Sequence, residues 1–185
     1  IVDLHNIMFH YYQRSIDLAP SIRAKLQAWR EFLKMKRFES KLFLSGAAFA
    51  VCSEQDEQIV RSINPEALVR VVPNGVDTEH FQGPHGGSQQ DLLFLGTLSY
   101  LPNSDAVEYF VKSILPLVRQ RQPQARLKIV GAAPPKQVID LHNGVDVFLI
   151  GQVPDVRPHA LASAIHLVPL RLGSGARLKI LEALA

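Results

Sequence analysis

The sequence predicts an α/β fold in which mainly parallel strands are covered by helices on both faces, a doubly wound arrangement. Two observations carry this prediction: short apolar runs alternate with helical segments, and glycines follow several of those runs. Strands joined by helices need crossover connections, and these pair the strands in parallel. The chain has 185 residues, of which 47% are hydrophobic, so it can build a substantial core.

The first third of the chain reads as strand, irregular segment, long helix, strand, helix and strand. The long helix runs through SIRAKLQAWREFLKMKRFESKLFL, where apolar residues recur at helical spacing among charged ones. This pattern predicts an amphipathic helix that packs on the core through its apolar positions, which are Ile22, Leu26, Trp29 and Leu33.

The next predicted strand, AAFAVC, includes a cysteine. Cys52 is the only cysteine, so the chain cannot form an internal disulfide. Its apolar setting predicts a small buried core residue, because a catalytic thiol would need surroundings that lower its pKa. Ser53 is the predicted N-cap of a helix that opens with the acidic run EQDEQ, since a helix N-terminus favours negative charge.

The second half alternates more regularly, after a polar, glycine-rich segment that reads as a linker between Thr78 and Gln90. The predicted strands are DLLFLGTL, ARLKIVG, VDVFLIG and IHLVPL, and the shorter helices are PKQVIDLHN, DVRPHALASA and ARLKILEALA. The longer helix in NSDAVEYFVKSILPLVRQRQP is expected to be capped by Ser104 or Asn103. Its core face is predicted to hold Val107, Phe110, Val111, Ile114 and Val118.

Glycines end several of the predicted strands of this half. Gly96, Gly131 and Gly151 each close a strand, and the pair Gly173 and Gly175 precedes the last helix. Ligands of parallel α/β sheets bind beyond the carboxyl ends of the strands, where glycines let a phosphate approach. Each glycine alone reads as a turn, but together they outline a crevice of nucleotide size.

The closing motif RLGSGARLKILEALA joins the last glycine pair to charged residues. A diphosphate would fit the exposed N–H groups, Arg177 and Lys179 could add charge-assisted hydrogen bonds, and Glu182 could hold a ribose. On spacing alone, the alternative is a surface ion pair between Lys179 and Glu182 on an ordinary helix. That helix is expected to dock through Leu178, Leu181 and Leu184.

Composition and charge narrow the classes of function. The formal net charge is +3 and the cations form no dense run, so we expect no nucleic-acid partner. No apolar run approaches the roughly 20 residues that span a bilayer, and no signal peptide opens the chain, so a cytoplasmic location is expected. No histidine and carboxylate set has metal-ligand spacing, so no metal is expected, and His5 reads as a structural or exposed residue.

Three segments carry a resemblance to a known family: VVPNGVD, FLGTLSYLPNSDAVEYFVKSILPLVRQRQPQARLKIVG and GQVPDVRPHALASAIHLVPLRLGSGARLKILEALA. Together they resemble the retaining glycosyltransferases of family 4, with the GT-B fold, and among these the sugar transferases that build bacterial exopolysaccharide. The resemblance covers nearly the whole chain and is strong from Val69 to Asp77 and from Leu92 onward. It implies two Rossmann-like domains that face each other across a cleft.

The resemblance implies that both domains are incomplete. Residues 1–78 would be the C-terminal part of the N-terminal, acceptor-side domain, 79–90 the linker, and 91–185 most of the C-terminal, nucleotide-sugar-binding domain. A glycine-rich loop and a histidine near the donor sugar would precede Ile1, and a further strand would follow Ala185. The isolated chain is therefore expected to fold without turnover, and either to associate as a homodimer that covers open sheet edges or to belong to a longer protein.

The resemblance also assigns the donor site. It implies contacts from Gly96 and Thr97, from the loop of Gly151, Gln152 and Val153 that faces the base, and from Gly173, Ser174, Gly175, Arg177, Lys179 and Glu182. Glu182 matches the second of the family's paired glutamates, which holds the ribose hydroxyls. Ser174 stands at the first of these positions, so the catalytic residues stay unassigned. Thr97 and Asn103 stand where many members carry an Arg and a Lys, which shifts the phosphate contacts to Arg177 and Lys179.

The implied function is the transfer of a hexose, with retention, from a nucleotide-diphosphate sugar to a glycan or lipid-linked acceptor. No cofactor is implied, because the nucleotide sugar is the donor substrate. Peripheral association of the full-length enzyme with the inner face of the membrane is expected. Two other functions stay open: a nucleotide-sugar epimerase of the same fold, and a non-catalytic module that binds nucleotide sugars.

Overall fold

The computed structural model describes residues 1–19, 21–80, 83, 88–172 and 177–185. They divide into two compact units, one formed by Ile1–Gly75 with Leu172–Arg177 and the other by Val76–Arg171 with Leu178–Ala185. Each unit is built on a parallel sheet with flanking helices, so the predicted α/β fold class is confirmed.

The first unit contains a three-stranded sheet with the order β1-β2-β3, and both strand pairs are parallel. Its elements are β1 (Val2–Leu4), α1 (Met8–Asp17), α2 (Ile22–Phe43), β2 (Ala48–Val51), α3 (Glu54–Ile63) and β3 (Leu68–Val71). Ser53 caps α3 as predicted, since its hydroxyl oxygen accepts from the Asp56 N–H at 3.2 Å. The buried core consists of Ile7, Phe9, Phe43, Phe49, Val51, Val60, Ala67 and Val69.

The second unit contains a four-stranded parallel sheet with the order β6-β5-β4-β7. Its elements are β4 (Ser88–Leu95), α4 (Leu101–Tyr109), a π-helical turn (Phe110–Ile114), α5 (Leu115–Arg121), β5 (Arg126–Val130), α6 (Lys136–Ile139), β6 (Val147–Gly151), α7 (Arg157–Leu161), β7 (Ser163–His166) and α8 (Leu178–Leu184). Strand β4 begins inside the segment predicted as a linker, because Ser88 pairs with Ser163 of β7.

The long helix of this unit carries the predicted core face but not the predicted cap. Val107 and Phe110 are buried, and Val111, Ile114 and Val118 pack against the same core. The N-cap is Tyr100, which makes no side-chain cap hydrogen bond, so the assignment to Ser104 or Asn103 was wrong. The π-helical turn precedes Pro116, which has no N–H to donate to the preceding turn.

Helix α1 corrects the prediction of an irregular segment after β1. Its N-terminus is capped from α2: the Glu39 carboxylate accepts from Met8 N at 2.8 Å and from Phe9 N at 2.9 Å. Glu39 is buried, and these two bonds satisfy N–H groups that a helix end leaves without partners. The cap lies about thirty residues away in the sequence, where local capping rules do not look.

Helix α2 has the predicted extent and is capped by Ser21, but it packs through a different face from the one predicted. Phe32, Met35 and Leu42 pack against the core, whereas Ile22, Leu26, Trp29 and Leu33 are exposed. The prediction was wrong because α1 packs on the side of α2 that carries Phe32, where the centres of the Phe9 and Phe32 rings lie 6.5 Å apart.

We expect Glu39→Gln to lower the free energy of unfolding by about 1 to 3 kcal/mol, because an amide offers one acceptor oxygen to two N–H groups and turns its own donor toward one of them. Burial raises the pKa of Glu39, so the folded state takes up a proton just above the ordinary carboxyl pKa. Stability should therefore fall as pH rises through that range in the wild type, and this slope should be missing in the variant. Urea unfolding at several pH values measures both effects. The control is Glu31→Gln, because Glu31 is the other acidic residue of α2 and does not cap α1. Equal stability of the two variants would contradict the cap.

Candidate functional site

The parallel strands of the second unit end together at one edge of the sheet, which we call the carboxyl edge. Three of the predicted glycines meet there. Gly96 N donates to Val130 O at 3.1 Å, and Gly131 N donates to Gly151 O at 2.8 Å. The structure therefore brings Gly96, Gly131 and Gly151 side by side, as expected for turns at the ends of adjacent strands.

Gly131 allows two of these strand ends to approach closely. A Cβ atom added to Gly131 would lie 1.9 Å from the carbonyl oxygen of Gly96, a distance that no packed structure tolerates. Gly96 itself has φ of 154°, which side-chain-bearing residues rarely adopt, and an added Cβ would meet Asn103 Nδ2 at 2.8 Å. The carboxyl edge thus depends on glycine at both positions.

We expect Gly131→Ala to destabilise the second unit by about 1 to 3 kcal/mol, since the methyl group forces the backbone of β4 away from β5. Urea unfolding measures this loss. Gly75→Ala is the matched control, because an added Cβ there meets no atom within 4 Å. Equal stability of the two alanine variants would show that the strand ends do not need this contact.

The side chain of Lys179 in α8 reaches the carboxyl end of β4, one of the two inner strands of the sheet. Its Nζ donates to Leu95 O at 2.8 Å and to Asn103 Oδ1 at 2.9 Å, and it lies 4.5 Å from the centre of the Phe94 ring. Charge-assisted hydrogen bonds and the aromatic face hold the ammonium in one place. The structure therefore fixes a positive charge at the carboxyl edge, next to Gly96.

Asn103 is the residue that organises this charge. Its amide nitrogen donates to Thr97 O at 2.8 Å while its oxygen accepts from Lys179, and the residue is buried. It therefore links the loop after β4 to α8 instead of capping α4. The sequence indicated Asn103 only as a cap or as a replacement for a cation, because a contact across 76 residues leaves no local signal.

Glu182 opens onto a surface cavity of about 240 Å³ beside β7. His166, the last residue of β7, lines this cavity and also a smaller one that Lys179 lines. The cavity that Glu182 lines extends along β7 from Ser163 to His166, and only the smaller cavity lies beside Lys179. His166 Nε2 donates a hydrogen bond to Ala160 O, 3.1 Å away, and this contact left no signal in the sequence, because His166 stood inside the predicted strand IHLVPL.

The docking of α8 differs from the prediction. Leu178 and Leu184 are exposed, and only Leu181 among the three predicted leucines is half-buried. The apolar positions of this seven-residue helix did not decide its orientation, because Lys179 is anchored on the sheet. The polar contact therefore sets which side of α8 faces the carboxyl edge.

The loop after β6 holds the other predicted donor contacts. Gly151 has φ of 81°, Gln152 is exposed and Val153 is half-buried. Farther along, Asp155 accepts from the backbone and the guanidinium of Arg157, which lowers the pKa of Asp155 to about 2. Thr97 is likewise exposed, and its carbonyl oxygen is held by Asn103.

The structure describes only part of the rest of the closing motif. Gly173, Ser174 and Gly175 lie outside the described residues, so their predicted contact with a diphosphate stays a prediction. Arg177 donates to Leu172 O at 3.3 Å and groups with the first unit. Arg171, which no prediction used, pairs with Asp105 and lies over the Tyr109 ring at 4.5 Å.

A second cluster follows the strands of the first unit. Cys52 Sγ lies 3.7 Å from His5 Nδ1 and 3.6 Å from Asn74 Oδ1, and His5 Nε2 lies 3.3 Å from an Asp3 oxygen. Burial, with the charges of Asp3 and Asp56, raises the pKa of the Cys52 thiol. The raised pKa opposes formation of the reactive thiolate, and the prediction of a buried Cys52 is confirmed.

Two further features concern the part of the chain that the structure describes. Within it, no three His, Cys, Asp or Glu side chains are placed to hold a metal ion. In the same ranges, no helix combines the length and the apolar character needed to cross a bilayer.

Comparisons with known proteins agree with this fold. Residues 89–185, just over half of the chain, match the family described as Glycosyl transferases group 1. Among proteins with curated functions, none matches the chain in sequence.

Solved structures of TarM resemble the chain. A crystal structure of TarM matches with a TM-score of 0.62 and 15% identity, and covers 81% of this chain and 30% of TarM. An S. aureus TarM mutant in complex with fondaparinux, alpha-GlcNAc-glycerol and UDP matches with a TM-score of 0.63 and 14% identity, over 81% of this chain and 30% of TarM. At such identity the likeness concerns the fold, and it confirms the predicted GT-B type. The chain spans about 30% of the length of these structures.

Proposed function

The chain belongs to the glycosyl transferases group 1, and on this premise we propose that the full-length enzyme transfers a hexose, with retention, from a nucleotide-diphosphate sugar to a glycan or lipid-linked acceptor. The UDP bound in the TarM complex supports a nucleoside diphosphate as the leaving group. The alpha-GlcNAc-glycerol in the same complex supports a sugar product. In this proposal the protein is a member of glycosyltransferase family 4, and its reaction is a step of polysaccharide biosynthesis.

The observation that carries the proposal is the ammonium of Lys179 at the carboxyl edge. Two oxygen acceptors hold it at the end of β4, where parallel α/β sheets bind their ligands. A diphosphate placed beside Gly96 would lie against this charge. The cation would stabilise the bound diphosphate strongly, because it is already positioned at the strand end and needs no reorganisation when the phosphate binds.

Glu182 is proposed to hold the ribose. It lies one turn after Lys179 on α8 and opens onto the cavity that His166 also lines. A carboxylate can accept from two neighbouring hydroxyl groups, which is how many nucleotide-binding folds fix a ribose. Lys179 and Glu182 would thus contact the diphosphate and the ribose of one donor molecule.

The proposed donor site also draws on residues for which the support is the sequence alone. The N–H groups of Gly173, Ser174 and Gly175 and the side chain of Arg177 would add contacts to the diphosphate. Gly151, Gln152 and Val153 would face the base. Thr97 would lie beside the phosphates, in the loop that Asn103 holds.

The proposed chemistry needs no metal and no carboxylate at Ser174. An acceptor hydroxyl bonds to the anomeric carbon while the bond from that carbon to the diphosphate breaks, and the hydroxyl proton passes to the departing diphosphate. Attack on the face that the diphosphate leaves retains the configuration. Because negative charge develops on the diphosphate, Lys179 would stabilise the transition state more than the ground state.

We further propose a cytoplasmic protein that associates peripherally with the inner face of the membrane, where a lipid-linked acceptor would lie, and that forms a homodimer. The location is supported by the resemblance to transferases that build exopolysaccharide. Size measurement in solution and fractionation of membranes test the two statements separately.

Product analysis tests the reaction itself. The full-length enzyme is incubated with uridine and guanosine diphosphate sugars, with and without glycan and lipid-linked acceptors, and the released nucleotide and the mass of the acceptor are measured. We expect nucleotide release and a heavier acceptor only when both substrates are present. Change of the sugar without acceptor would indicate an epimerase, and binding without conversion a non-catalytic module; either result contradicts the proposal.

A further inference from the structure

Helix α2 carries a stripe of apolar side chains that the first unit does not cover. Ile22 is 87% exposed, Leu26 47%, Trp29 49% and Leu33 37%. Their spacing places them along one line, since an α-helix turns about 100° per residue. The stripe is about 16 Å long at the helical rise of roughly 1.5 Å per residue.

Basic residues border this stripe on both sides. The same rotation places Arg23, Arg30, Lys34, Arg37 and Lys41 along one border and Lys25 and Lys36 along the other. The two acidic residues of α2 offset only one of these seven cations. Glu31 pairs with Lys34 at 2.8 Å, and Glu39 is buried at the N-terminus of α1.

The neighbouring elements leave this charge pattern in place. Helix α1 packs against α2. The charged residues of α1 are Arg14 and the exposed Asp17, and its histidine is His10. Burial lowers the pKa of His10, with Arg14 and Lys36 acting in the same direction, so its imidazole is neutral at neutral pH. The exposed side of α2 is therefore an apolar line between two rows of cations.

We infer that α2 lies on an anionic membrane surface, with the stripe inserted among the lipid chains and the cations at the level of the phosphate headgroups. A helix with a Trp and Leu face bordered by Lys and Arg binds in this interfacial position. The long stems of Lys and Arg cover apolar surface while their charges reach the headgroups. The inference rests on the membrane association proposed above and not on the chemistry of glycosyl transfer.

Charge complementarity favours this occupant over a second copy of the chain. A second copy would bring the same rows of cations against the first, and like charges across an interface oppose association. An anionic bilayer offers apolar and negative groups to both parts of the surface at once.

Trp29 provides a direct test, because it is the only tryptophan of the chain. The protein is mixed with vesicles of phosphatidylcholine that contain phosphatidylserine, and with vesicles of phosphatidylcholine alone. We expect the emission of Trp29 to shift to the blue and to be quenched by lipids brominated on the acyl chains, only with the anionic vesicles. Salt should weaken the effect.

Two double variants distinguish the contribution of the apolar stripe to membrane binding from that of the cations. Leu26→Glu with Leu33→Glu, which keeps Trp29, should raise the lipid concentration needed for half-maximal binding by at least about tenfold. Arg30→Gln with Arg37→Gln should raise it roughly fivefold per cation removed. Leu68→Glu with Leu117→Glu is the control, since both leucines are exposed elsewhere, and it should bind like the wild type.

Three results would overturn the inference. Trp29 emission that stays unchanged with anionic vesicles would do so, as would an equal shift with neutral vesicles. A homodimer that Leu26→Glu with Leu33→Glu dissociates would show that a second copy covers the stripe. Uridine diphosphate binding, measured on the same samples, keeps failure of this inference distinct from failure of the donor site.

Discussion

Replacing Lys179 with methionine should lower the affinity of the protein for a nucleoside diphosphate about a hundredfold, or roughly 3 kcal/mol, the upper range for a hydrogen bond to a charged group. Methionine keeps an apolar stem against the Phe94 ring but removes the charge that Leu95 O and Asn103 hold at the carboxyl edge. Titration calorimetry with uridine and guanosine diphosphate measures the loss.

The control for this variant is Lys112→Met. Lys112 is an exposed cation of the π-helical turn that pairs with Glu108, about three helical turns from the carboxyl edge, so its removal changes the net charge equally. Urea unfolding of both variants shows whether Lys179→Met also loosens α8. A Lys179 variant that folds stably and binds the nucleotide as tightly as the wild type would remove Lys179 from the donor site.

Glu182→Gln should weaken nucleoside diphosphate binding by about 1 to 3 kcal/mol, which is roughly fivefold to 150-fold. An amide has one acceptor oxygen and no charge, so it cannot accept from two hydroxyl groups as a carboxylate does. The comparison of uridine diphosphate with its 2′-deoxy form makes the test specific. We expect the wild type to prefer the ribose form, and the variant to lose most of that preference.

Glu108→Gln serves as the matched control, because Glu108 is paired with Lys112 on the surface of α4. It should leave both affinities unchanged. If Glu182→Gln weakened the ribose and deoxyribose forms equally, Glu182 would act on some other part of the nucleotide, and the ribose assignment would be wrong.

The alternation of strands and helices could be predicted because each element carries its own signal. The parallel strands of both units and the Ser53 cap of α3 follow from local patterns of apolar residues and hydroxyl groups. The core face of the helix around Phe110 follows from its periodicity for the same reason.

Long-range contacts explain the errors. Helix α1 is capped by Glu39 of another helix, and α2 turns its second apolar face outward because α1 covers the first. Two apolar faces on one helix look alike in a sequence, and only the packing decides which one is buried.

The candidate site shows the same division. Glycines at strand ends and the Lys and Glu of the closing motif were visible in the sequence, since turns and charges are local features. The bonds from Lys179 to Leu95 O and Asn103, the contact between Gly131 and Gly96, and the position of His166 were not, because each joins residues from different strands or helices.

The central claim is that the carboxyl edge of the second unit binds a nucleoside diphosphate, and amide NMR tests it most directly on this 20.6 kDa chain. Uridine or guanosine diphosphate is titrated into the labelled protein, and the shifts of the backbone amides are followed. We predict saturable shifts at Gly96, Thr97, Gly131, Gly151 and Gln152 that Lys179→Met weakens. Saturable shifts confined to other surfaces, or none at nucleotide concentrations far above the protein concentration, would contradict the claim.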